Sequence, residues 1–231
     1  MLKVEVSILL YAIAAILFVG ASIFDNYELE LLVKPVIIPS IFFAYFTFSK
    51  EKVNTMFFLS LLFFFVGDML FLIGGEEIYE LSLFVLLVPY ILVLCFIWKD
   101  FRILVKEVDE NIIDFSFFLV LAVLTTLILL VLDFLEVKTK MEFLAYLLFG
   151  IELEIMGLLT TIIYYNSANK KNFCLTLAVS TFIFSDLFFV LYKNFEEIKL
   201  FRITNIATQT LSYYFYLMYF VEREKTVKNL V

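Results

Sequence analysis

The chain has 231 residues, of which 64% are hydrophobic and 30 are Phe, with a mean hydropathy of +1.02. A soluble domain carries about 45–50% apolar residues, so this composition excludes an ordinary soluble protein and points to the membrane. The net charge is −7, no basic patch suits nucleic acid, and the complete lack of His excludes histidine-dependent catalysis. Cys95 and Cys174 lie in or at the edge of apolar stretches and frame neither a disulfide network nor a His- or Cys-based metal site.

Eight apolar stretches follow in chain order, at 6–24, 31–48, 55–74, 78–98, 112–134, 142–165, 173–192 and 202–221. Each approaches the roughly 20 residues that a helix needs to cross a bilayer. A membrane barrel would instead show alternating segments of about 10 residues. The expectation is an all-α polytopic membrane protein, a bundle of eight transmembrane helices forming a single domain over 1–231, with acidic loops near 25–30 and 76–80. The first stretch follows Lys3 and Glu5 without a small-residue cleavage pattern and reads as a retained helix.

Lys and Arg divide unevenly between the two sides. One side collects Lys3, Lys50, Lys52, Lys99, Arg102, Lys106, Lys170, Lys171, Arg223, Lys225 and Lys228; the other has Lys138, Lys140, Lys193, Lys199 and Arg202. The positive-inside rule then puts both termini in the cytoplasm. With no organelle signal, a bacterial inner membrane is the simplest location.

Against this background the polar residues inside spans stand out. A charge at the middle of a membrane helix costs about 2.5–3.5 kcal/mol on insertion scales, so Lys34, Asp68, Glu152, Glu154 and Asp186 require partners inside the bundle. At 1.5 Å per residue, Lys34, Asp68, Asp186, Asn205 and Gln209 share one depth in the outer half. Glu152 and Glu154 lie slightly deeper and suit the floor of the same pocket. On the sixth span Gly150, Glu154, Gly157, Thr161 and Tyr165 share a face, which favours Glu154 over Glu152 as the inward carboxylate. On the eighth, Asn205, Gln209, Ser212 or Tyr213, and Tyr216 form a polar seam. Pro35 and Pro39 remove amide donors beside Lys34 and are expected to bend the second span and open a cavity. The many Phe and Tyr read as packing and lipid-facing residues.

The ordered set Lys34-Pro35 with Pro39, Gly67-Asp68, Ser185-Asp186 and Ala207-x-Gln209 on successive spans resembles the YhhN family of membrane proteins, which includes lysoplasmalogenases. The resemblance covers the whole chain. It implies an alkenyl ether hydrolase that splits a lysoplasmalogen into a fatty aldehyde and glycerophosphoethanolamine or glycerophosphocholine, without a cofactor. Its motifs fall on Lys34, Asp68, Asp186 and Gln209. The family often has Tyr where this chain has Asn205, and the pair Glu152/Glu154 is not part of its pattern.

Vinyl ether hydrolysis suits these residue types. One carboxylic acid protonates the alkene carbon, and a second carboxylate stabilises the oxocarbenium ion or activates water, as in glycoside hydrolysis. The expected roles make Asp68 and Asp186 the catalytic pair, with Lys34, Gln209, Asn205 and Glu154 positioning substrate and charge. The expected partners are a lysophospholipid-type substrate and membrane lipids. Three other classes use the same residue types. A transporter would place polar groups in both halves of the bilayer, whereas the inner half of most spans is nearly featureless; a receptor or scaffold would use the charges only for assembly; a metal-dependent hydrolase would bind a hard cation through carboxylates, against which Lys34 argues.

Overall fold

The computed structural model describes residues 2–49, 53–107, 115–135, 137–195 and 198–228, and among these every regular element is a helix. The helices are α1 (Leu2–Ile23), α2 (Tyr27–Phe48), α3 (Thr55–Ile73), α4 (Gly75–Glu107), α5 (Phe115–Phe134), α6 (Lys140–Asn166), α7 (Lys170–Asn194) and α8 (Lys199–Lys228). Seven of them, α1 to α7, are long and apolar enough to cross a membrane. The fold is that of an all-helical polytopic membrane protein. The expected start of the fifth span at 112, and Lys50 and Lys52 of the charge count, lie outside the described residues.

Helix starts are set by side chains that accept the orphan amides of a first turn. Asn26 caps α2 through Leu29 N, Asn54 caps α3 through Met56 N and Phe57 N, and Asn169 caps α7 through Asn172 N. Thr139 caps α6 through Glu142 N, while Glu142 accepts the Lys138 amide in return at 2.7 Å. That Thr-x-x-Glu arrangement is a variant of the capping box, in which the Glu accepts the amide just before the cap. The α1–α2 turn is tight enough to hold Asp25 at φ 51°, a left-handed conformation that an Asp side chain tolerates.

The eighth stretch differs from the other seven. Its polar seam leaves it less apolar than α1 to α7, and it occupies the inside of the bundle, packed on α7, α1 and α2. Tyr213, Tyr216, Leu217, Tyr219 and Phe220 on α8 are all buried. The helix therefore satisfies its polar side chains against other helices, the usual arrangement for polar residues in membrane spans. At the other extreme, α5 is among the most hydrophobic helices and has no buried residue in its span. It lies on the outside against α6 and α7.

Two expectations need correction. The acidic residues at 25–30 and 76–80 do not all lie in loops: Glu28 and Glu30 belong to the first turn of α2, and 76–80 belongs to the start of α4. Acidic groups suit a helix N-terminus, where the macrodipole is positive. The fourth helix also runs past 98 as far as Glu107, because Lys99, Asp100, Arg102 and Lys106 end the apolar stretch without breaking the helix. Only hydrophobicity stops there.

Candidate functional site

Lys34, Asp68, Asp186, Asn205, Gln209 and Glu154 come from five different helices and line a single cavity of about 160 Å³. The rest of its wall is mainly apolar, with Phe71 of α3, Leu83 and Leu86 of α4, Leu124, Ile128 and Val131 of α5, and Ile183, Leu187 and Phe189 of α7. A few polar groups set in an apolar concave wall are the usual composition of a small-molecule site.

Asp68 is the most heavily partnered group. Lys34 Nζ lies 3.3 Å from Oδ1, Gln209 Nε2 donates to the same oxygen at 2.9 Å, and the Tyr213 hydroxyl donates to Oδ2 at 2.8 Å. Three helices, α2, α3 and α8, are thereby joined at one carboxylate. The Lys34 side chain is only 14% exposed, so it does not snorkel to the interface. Its ammonium also faces the Phe18 ring of α1, at 5.9 Å from the centroid. Helix α2 continues unbroken through Pro35 and Pro39, so the expected bend does not interrupt it.

Asp186 is placed differently. Among the described residues its Oδ2 is buried without a hydrogen-bond partner, and the Tyr90 hydroxyl of α4 is a polar neighbour of the carboxyl. Tyr90 is held edge-on by Phe64, Phe149 and Phe182. Beside Asp186 in the chain, Ser185 receives Asn205 Nδ2 at its carbonyl oxygen, 2.8 Å, and at its hydroxyl, 3.1 Å. Asn205 thus ties α8 to α7 at the cavity wall.

On α6, Gly150 and Glu154 line the cavity and Glu154 accepts a hydrogen bond from Thr125 of α5. Glu152 does not line it and keeps a buried Oε2 without a partner. The small residues act as expected: a Cβ on Gly150 would come 3.0 Å from Ile128, and one on Gly157 would meet Leu124 at 2.8 Å and Ile183 at 3.2 Å. At Gly157, α5, α6 and α7 therefore meet closely. The face does not extend as far as expected, because Tyr165 is 63% exposed.

A substitution tests how tightly the wall is built. The Cβ of Gly67→Ala would lie 2.4 Å from Leu86 Cδ2 and 2.6 Å from its Cγ, and Leu86 itself lines the cavity. The expected result is a loss of about 1–3 kcal/mol from overpacking, with Leu86 displaced. Thermal unfolding in detergent measures it, and an unchanged midpoint would mean that the wall yields freely.

Sequence reasoning missed several groups. Tyr90 and Tyr146 stand at or behind the site, yet a Tyr in such a chain reads as packing; Tyr213, expected in the polar seam of α8 as the alternative to Ser212, is the one that reaches Asp68. Glu30 and Glu142 are buried charges; Arg202 Nη2 meets Glu30 at 2.7 Å, and Lys193 pairs with Glu142. The Lys193 ammonium also lies 4.1 Å from the centroid of the Tyr79 ring. The capping box at Thr139 was the available signal for Glu142. At the opposite end of the bundle, Asp100 is buried and receives Lys171 at 3.0 Å, Arg223 at 3.2 Å and Tyr219 at 2.8 Å. That end is accordingly not featureless.

The fold and site together define a class, a polytopic helical membrane protein with a buried, charged cavity between its helices. No protein-family model, characterised protein or solved structure matches the chain.

Proposed function

We propose that the chain is a lysoplasmalogenase-like hydrolase of the YhhN type, which cleaves the vinyl ether bond of a single-chain ether lipid to a fatty aldehyde and a glycerophospho alcohol. The observation that carries this reading is that Asp68 and Asp186 line the same apolar cavity together with Lys34 and Gln209. Protonation of an alkene carbon needs a positioned acid, and capture of the cation by water needs a nearby anion. Two carboxyl groups in one low-dielectric cavity supply both, and apolar side chains on α4, α5 and α7 suit the alkenyl chain. The position of α5 on the outside of α6 and α7 puts that apolar wall next to lipid, so the chain has a short route in from the bilayer. A bacterial inner membrane is the location that fits the distribution of Lys and Arg.

A carrier reading draws some support from the Asp100 cluster at the far end. Between the two polar clusters, however, the core is aromatic: Phe64 stacks on Phe182 at 5.3 Å, and Tyr216 and Phe57 pack against Phe220 beyond them. A packed aromatic layer separates the clusters and favours a site that opens to one side.

The test is release of fatty aldehyde from lysoplasmenylethanolamine by purified protein in detergent. Wild type should release it, while Asp68→Asn and Asp186→Asn should each lose about 10²–10⁴ of the rate. Full activity in either variant removes that residue from the catalytic pair.

A further inference from the structure

Asp68 and Asp186 are unequal in their surroundings, and from that inequality we infer that Asp186 is the proton donor, Tyr90 its positioning residue, and Asp68 a permanently anionic anchor. The inference rests on the hydrolase reading above. Among the described residues, each direct ion-pair or hydrogen-bond partner of Asp68 is a donor: Lys34 and Gln209 at Oδ1, Tyr213 at Oδ2. A proton on this carboxyl would face donors on both oxygens and leave Lys34 without its counter-charge, so Asp68 holds no proton to give. Among the described residues no cation pairs with Asp186. One of its oxygens is buried without a partner among the described residues, and an ionised carboxylate so placed costs far more than a neutral carboxylic acid.

The reaction then balances around one group. The Asp186 carboxyl proton bonds to the second carbon of the alkenyl chain, using the C=C electron pair and leaving an oxocarbenium ion across C1 and the ether oxygen. Water adds its oxygen to C1 and returns a proton to the Asp186 carboxylate, giving a hemiacetal. Asp186 gives that proton to the glycerol oxygen as the C1–O bond breaks, and the hemiacetal hydroxyl loses its own proton back to Asp186 as aldehyde forms. One water is consumed and the acid is regenerated. Asp68 stays charged throughout, near enough to line the same cavity and oppose the cationic intermediate electrostatically.

Tyr90 enters through geometry. Its ring is clamped by Phe64, Phe149 and Phe182, so its hydroxyl is a fixed polar neighbour of the Asp186 carboxyl. Tyr90→Phe keeps that ring packing and removes only the hydroxyl. It should lower kcat about tenfold, the rate equivalent of one hydrogen bond, with KM unchanged.

Formate separates the roles, because a small carboxylic acid can replace a deleted proton donor but not an anchored anion that also holds a lysine. Asp186→Gly and Asp68→Gly are assayed for aldehyde release with and without formate, after monodispersity is checked by size exclusion. Formate should restore at least tenfold of the lost rate in Asp186→Gly and none in Asp68→Gly. Rescue of Asp68→Gly alone, equal rescue of both, or rescue of neither overturns the assignment, as does a Tyr90→Phe protein with wild-type kcat. Absence of aldehyde from wild type is a different failure, because it removes the hydrolase reading itself.

Discussion

Lys34→Met is expected to destabilise the bundle by about 3 kcal/mol, at the low end of the 3–5 kcal/mol typical for breaking a buried ion pair. The lysine and Asp68 are both largely buried, at 14% and 6% side-chain exposure, so little water can replace the lost ammonium. The loss stays at that low end because Gln209 and Tyr213 still donate to Asp68. For a chain of this length, 3 kcal/mol corresponds to roughly 6–12 °C in the thermal midpoint. The double variant Lys34→Met/Asp68→Leu should recover most of that loss while remaining inactive, because the buried charge has gone but so has the anchored anion. A double variant no more stable than Lys34→Met would show that the pair is not what holds α2 to α3.

Asp100→Asn should cost a similar amount, about 3 kcal/mol, without touching turnover in the folded fraction. Asp100 is buried and faces two cations, Lys171 on α7 and Arg223 on α8, both less than a quarter exposed. The amide keeps the shape of the carboxyl but leaves those cations facing each other without a counter-charge. Tyr219, which binds Asp100, and Tyr213, which binds Asp68, are six residues apart on α8, about 9 Å along the axis. At that separation the effects of Asp100→Asn and Lys34→Met should add, and thermal midpoints of the two single variants and the pair measure this. Loss of kcat in Asp100→Asn would instead reveal coupling between the two ends.

What could be read from the chain and what could not follows from contrast. In a sequence this apolar, a charged or amide side chain within a span is conspicuous, so Lys34, Asp68, Glu154, Asp186, Asn205 and Gln209 were legible, and the helical repeat placed Glu154 rather than Glu152 at the cavity. Tyr90 had no such contrast. With 13 Tyr and 30 Phe in the chain, nothing local distinguishes a hydroxyl that meets Asp186 from one at the interface. Asp100 was hidden for the opposite reason: set between Lys99 and Arg102, it resembles a loop residue, and only the side chains that reach it from the start of α7 and the end of α8 reveal its burial. The central position of α8 was likewise invisible to a count of apolar stretches, since the polar seam that makes it a weaker span is the feature that suits it to the inside.

The seating of α8 bears on how the protein is made. Asp68 leaves the ribosome on the third helix, yet two of its three partners, Gln209 and Tyr213, belong to the last. Until that final segment has been synthesised and inserted, an aspartate worth about 2.5–3.5 kcal/mol of insertion penalty has only Lys34 to satisfy it. A nascent chain arrested before residue 209 therefore exposes an incompletely satisfied charge within the bilayer, a physical mark by which membrane quality control can distinguish the unfinished protein from the finished one.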